Sequence, residues 1–277
     1  MNKYFIFPLI ILVSGIVSCN KPPGSTHPPA QFHADSIAIL AKANQFRLDK
    51  EYDSAISLLD SAFLLPVKSD QHPNGLSPDD ARRLMSYAIR HLMFAYNHSR
   101  RIAEGHEHFL RLREMNHPIL FNHCQREILV CDAQMLQTLG RRAEGCQLLD
   151  QAMSINENDD PSSELFCTIA AGITYMAVDS TETRAEPALL RAAEAMRNGA
   201  YDDTGLYPQA MANLANIYIR KNEFQKGISL CQEVMEQSNK SQNPRGAMLA
   251  AINLCGNYTE LNFFDRALHY NNEGLRL

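Results

Sequence analysis

The chain is 277 residues long, 45% hydrophobic and 21% charged, a composition that supports a packed core in one domain or one repeat array and excludes a disordered polymer. Its formal net charge is -5, from 26 basic and 31 acidic residues with no basic run, which excludes the electrostatic footprint of a nucleic-acid binder. Trp is absent and aromatic residues make up 8%, which leaves little for a base-stacking or sugar-stacking surface.

Residues 1–18 differ in character from the rest. Lys3 supplies a positive charge, Tyr4 to Val13 are almost wholly apolar, and Ser14, Gly15 and Ser18 are small. That is the pattern of a secretion signal, and its apolar run falls short of the roughly 20 residues that span a bilayer. Ile16-Val17-Ser18-Cys19 resembles the bacterial lipoprotein box. The resemblance implies that the signal peptide 1–18 is removed and that Cys19 becomes a lipidated N-terminus, its palmitate-like acyl chains holding the protein to a membrane of the bacterial cell envelope. Several chains on one residue give stable anchoring where one does not. A plain cleaved signal, with Cys19 an ordinary thiol, and a retained membrane helix stay open. Residues 19–34 then form a tether rich in Pro, with Pro22, Pro23, Pro28 and Pro29 beside Gly24 and no apolar periodicity.

From Asp35 to Leu277 one pattern recurs six times. A first helix carries a small or aliphatic residue followed three positions later by a bulky one, a short polar turn comes next, and a second helix opens on a small residue. The clearest copies are Leu214-Ala215…Tyr218…Phe224…Gly227 and Leu254-Cys255…Tyr258…Phe264…Ala267. Ala43…Phe46…Ala55 and Ala133…Leu136…Gly145 follow the same scheme; Met93…Tyr96…Gly105 and Gly172…Tyr175…Ala188 are looser. The small residues opening the second helices are expected at 55, 105, 145, 188, 227 and 267, so the fourth copy carries four extra residues. Helix starts are expected at Ser77-Pro78 and Asp160-Pro161, where a capping side chain precedes Pro at the first helical position.

These residues resemble the tetratricopeptide repeat (TPR) family across 35–277. The resemblance implies an all-α fold, a right-handed superhelical solenoid of about six helix-turn-helix repeats, with intervals of 39 to 43 in four of five cases against the usual period of about 34. A HEAT-like helical array is the alternative. The family binds through the concave groove lined by first helices. Projecting the register onto that groove selects Asn44, Arg47, Tyr87, Arg90, His91, Phe94, Asn97 and His98 in the first two copies. It selects Gln134, Gln137, Ile169, Ile173 and Met176 in the middle, and Asn213, Asn216 and Arg220 in the fifth copy. Such a groove, basic and aromatic at one end and rich in amides at the other, suits a protein or peptide ligand with an acidic or carboxylate-bearing end.

No signature of catalysis or of a cofactor is present: the Gly-rich phosphate loop, Gly-x-Ser-x-Gly and His-Glu-x-x-His are missing from the sequence. Six of the ten histidines fall between positions 91 and 123. On helices, His106 and His108 point about 200° apart, and His91 and His98 lie about 10.5 Å apart, so neither pair holds a metal with bonds of ~2 Å. Cys124, Cys131, Cys146, Cys167, Cys231 and Cys255 show no Cys-x-x-Cys spacing and read as free buried thiols, with disulfides between repeats left open by an oxidising compartment. The expectation is therefore a binding module with no enzyme activity, cofactor or metal, facing the periplasm or the exterior. Two versions are open: the sensory part of a longer envelope regulator, suggested by a last repeat without a polar cap at Leu277, and an outer-membrane lipoprotein that scaffolds an assembly complex.

Overall fold

The computed structural model describes residues 34–61, 63, 78–115, 123–155, 161–176, 182–198, 206–240 and 243–277, and every regular element among them is helical. The signal segment, Cys19 and the tether lie outside the described residues. Twelve helices follow in chain order: α1 (Ala34–Leu48), α2 (Tyr52–Ser61), α3 (Pro78–His98), α4 (Ile102–Glu114), α5 (Gln125–Thr138) and α6 (Arg142–Ser154). They continue as α7 (Pro161–Met176), α8 (Glu182–Arg197), α9 (Tyr207–Arg220), α10 (Phe224–Lys240), α11 (Pro244–Glu260) and α12 (Phe264–Arg276). No described helix is long and apolar enough to cross a membrane. The helices α3 and α7 open on Pro78 and Pro161, where the fixed φ of proline suits the first turn.

In five of the pairs the two helices are joined by one recurring turn. Lys50, Arg100, Gly140, Asn222 and Asn262 all have positive φ, between 58° and 82°, and each stands five residues before the small residue of its second helix. The amide just after each of them reaches back to the first helix: Glu51 N to Phe46 O at 2.8 Å, Arg101 N to Tyr96 O at 3.0 Å, Arg141 N to Leu136 O at 2.9 Å, Glu223 N to Tyr218 O at 2.8 Å and Phe263 N to Tyr258 O at 2.8 Å. This left-handed cap satisfies the last carbonyls of the first helix and turns the chain back on itself.

The small residue then permits close approach. A Cβ built on Gly145 would stand 2.9 Å from the carbonyl oxygen of Ala133, and one on Gly227 would stand 3.2 Å from that of Ala215. These are the two small positions, one per helix, that the sequence pattern pairs. In the fourth pair the structure moves the register: α8 begins at Glu182, so the residue three positions in is Ala185, fully buried, and not Ala188. Arg184 lies over the Tyr175 ring at 4.8 Å, as Lys226 lies over Tyr218 at 5.6 Å and Arg266 over Tyr258 at 5.5 Å, each directly before its small residue. The insertion shrinks from four residues to one, since Gly172 and Ala185 stand 13 apart where the other pairs have 12. Pro187 sits inside α8 and not at its start.

Among the described residues, substantial helix contacts join only helices one or two apart in the chain: each helix packs on the next, and α1, α3, α5, α7, α9 and α11 pack on one another in sequence. One continuous apolar core runs through all six pairs, from Leu40 and Ala43 to Leu254 and Ala267.

Candidate functional site: the first-helix face

The side chains chosen by the sequence register fall on the row α1, α3, α5, α7, α9. On α3 they make an aromatic stripe at helical spacing. Tyr87 stacks on His91 with centroids 3.8 Å apart, His91 meets Phe94 edge-on at 5.9 Å, and Phe94 lies 6.5 Å from His98. His98 Nδ1 bonds the carbonyl of Phe94 at 2.6 Å. His91 is 5% exposed, and both its ring nitrogens lack a hydrogen-bond partner. Burial, with the Arg47 and Arg90 guanidinium groups nearby, holds it well below the usual histidine range, so it is neutral at physiological pH.

Other selected residues act as ties between neighbouring first helices. Arg90 is buried and pairs with Glu127 at 3.4 Å, across α3 and α5. The Gln137 amide donates to the carbonyl of Thr174 at 3.0 Å, across α5 and α7, and Arg220 reaches the Met176 sulfur at 3.5 Å, across α9 and α7. Arg47 donates to Asn44 Oδ1 at 2.7 Å. Ile169 is fully buried, whereas Ile173 and Met176 are half-buried. Asn97, Gln134, Asn213 and Asn216 are half-buried too, and among the described residues their side-chain amides make no hydrogen bond.

Sequence reasoning passed over the acidic half of this face. Ser163 donates to Glu127 at 2.5 Å, and Arg126, 3% exposed, pairs with Glu164, which also holds Arg191 of α8. The signal was available: the offset that selects Tyr87, six residues before Met93, selects Glu127 before Ala133 in the next copy.

The histidines of α4 serve the opposite side. His108 Nε2 donates to Asp60 at 3.1 Å while its Nδ1 accepts from the Tyr96 hydroxyl at 2.8 Å, so it reaches back to α2 and α3. His106 Nδ1 donates to Asp132 at 2.5 Å and its Nε2 accepts from Arg141 at 3.2 Å, so it reaches forward to α5. The two rings turn their nitrogens to opposite neighbours. Arg113 adds a contact to Asp132 at 3.4 Å, and burial raises the Asp132 carboxyl above the usual range against the pull of His106 and Arg113. A cleft of about 520 Å³ opens here, lined by Tyr96, Arg101, His106, Arg111 and Arg141 among others. Both His106 nitrogens are already engaged, and no Ser, Thr or Cys lines the cleft. No group of three His, Cys, Asp or Glu side chains converges as a metal set among the described residues.

No family model matches the chain, and no curated protein matches it.

Proposed function

We propose that the chain is a TPR-like solenoid of six repeats that binds a protein or peptide segment along its row of first helices. The observation that carries this reading is the set of half-buried amides on that row, Asn97, Gln134, Asn213 and Asn216, which make no hydrogen bond among the described residues. Each offers one acceptor and two donors. A peptide in extended conformation presents an unpaired N–H and C=O at every residue, so the amides fit its main chain while the α3 aromatic stripe and the half-buried Ile173 and Met176 take its side chains. Arg47 and Arg90, both buried, are held by Asn44 and Glu127, so the acidic preference of a ligand is left for the test to read. The proposal is for a binding module without a cofactor or a reaction.

The sequence supports a location for it: the Ile16-Val17-Ser18-Cys19 box directs lipidation of Cys19, the tether follows, and the solenoid stands off a membrane of the envelope. Replacing Cys19 by Ala should move the protein from the membrane to the soluble fraction; retention in the membrane would exclude the lipid anchor.

The binding test uses an array of synthetic twelve-residue peptides of graded acidic content, with affinity read by fluorescence anisotropy. Asn97→Ala, Gln134→Ala and Asn216→Ala should each weaken the best peptide by about fivefold, the equivalent of a hydrogen bond of ~1 kcal/mol. A best peptide indifferent to all three would overturn the reading.

A further inference from the structure

The exposed large apolar side chains are concentrated in the last pair. Ile252, Phe263, Phe264, Leu268, Leu275 and Leu277 are 48% to 78% exposed. On α12, Phe264, Leu268, Asn271 and Leu275 fall within about 60° of one another around the helix, a continuous stripe. Forty residues earlier, at the same positions of α10, stand Phe224, Ile228, Cys231 and Met235. There Ile228, Cys231 and Met235 are 6%, 2% and 7% exposed, because α11 packs over them. Phe264, Leu268 and Leu275 are 62%, 59% and 78% exposed, and no described helix packs over them. Ile252 of α11, 55% exposed, repeats Ala212 of α9, 9% exposed, so the whole face matches a repeat-to-repeat surface and is uncovered among the described residues.

The charges along one edge of this stripe say what fits it. Asp265 and Arg276 are exposed, lie within about 20° of each other around α12 and stand at its opposite ends. Neither has a partner among the described residues. Asp265 sits at the positive end of the helix dipole and Arg276 at the negative end. An antiparallel second α12 places each of them opposite the other's complement, two ion pairs related by a two-fold axis. The same arrangement sets Phe264 against the partner's Leu275 at both ends. A surface that is apolar along its centre and inverts its charge from end to end is complementary to itself.

We propose that this face takes a second copy of the chain, the two α12 helices packed antiparallel to make a two-fold dimer joined end to end.

Sedimentation velocity of the purified full chain tests it. The expected species at micromolar concentration has twice the 31.2 kDa of one chain. Leu268→Glu and Leu275→Glu should each give monomer with unchanged helical circular dichroism, because both side chains are exposed in the single chain and fold without a partner. Asp265→Arg and Arg276→Asp should each weaken the dimer several-fold, and the double reversal should restore it, a rescue that only the antiparallel arrangement provides. A wild-type chain that stays monomeric at high micromolar concentration overturns the proposal. So does a dimer that survives Leu268→Glu and Leu275→Glu, or one in which the double reversal adds the losses of the single changes.

Discussion

Arg100 holds φ at 58° between α3 and α4, a backbone region that costs a residue with a Cβ about 1 kcal/mol and costs glycine nothing. Gly140 meets the same demand, at φ 82°, one repeat later. Arg100→Gly should therefore raise the urea midpoint by an amount corresponding to about 1 kcal/mol, and Gly140→Ala should lower it by about as much, both with unchanged slope. An Arg100→Gly chain no more stable than wild type would contradict this account of the turn. The thiols follow burial in the same way. Cys131 and Cys231 are buried, and loss of hydration raises both, Cys231 to about 12, so neither forms thiolate near neutrality. Alkylation at pH 8 should label half-buried Cys255 first and reach Cys131 and Cys231 only after denaturation, which peptide mass spectrometry reads directly.

Between elements, the polar ties carry the testable energetics. Glu127 is 1% exposed and holds both Arg90 and Ser163, so Glu127→Ala removes one partner of a buried ion pair and should cost about 3 kcal/mol. The His108–Asp60 tie is half in water and titrates. The hydrogen bond from His108 lowers the Asp60 carboxyl below its usual value of 3.8. A carboxyl lowered on folding contributes stability at and above its unfolded value and loses it as pH falls through the folded one. The acid side of a melting-temperature profile, below about pH 4, should flatten in Asp60→Asn, and an unchanged profile would remove this tie from the account. These ties also mark where the sequence was silent. Spacing showed that His106 and His108 face opposite ways, and the structure bears that out, but which neighbours they meet depends on how one pair lies on the next. The Ala185 register was hidden for a similar reason: Ala185 and Ala188 lie one turn apart on the same helix and both are buried, so only the packing of the pair tells which opens it.

At the scale of the molecule, the alternation of small and bulky residues was enough to expect an all-helical chain of paired helices, and the twelve described helices bear it out. That legibility has a cause: the close approach at Gly145 and Gly227 and the left-handed turns are local, so each leaves its trace within a few residues of itself. The groove reading was less legible, because Arg90, His91 and Ile169 are buried in a layer whose depth depends on the helices stacked beside them. Burial also differs along the array. Ala267 is the buried residue of α12, whereas most of α5 and α7 is buried, so amide hydrogen exchange should be fastest in α12 and slowest in α5 and α7. Protection of α12 that rises with protein concentration would mark its covering by a second chain; uniform protection at high dilution would contradict the gradient.

Among the described residues no helix depends strongly on one more than two places away, and this locality bears on how the chain folds. Loop closure over short stretches costs little, so folding has no distant meeting to wait for. A completed helix pair offers its face to the next first helix, so the array can grow one pair at a time. Each new pair is templated by the one already made, and at every stage the sticky surface awaiting cover is a single helix wide.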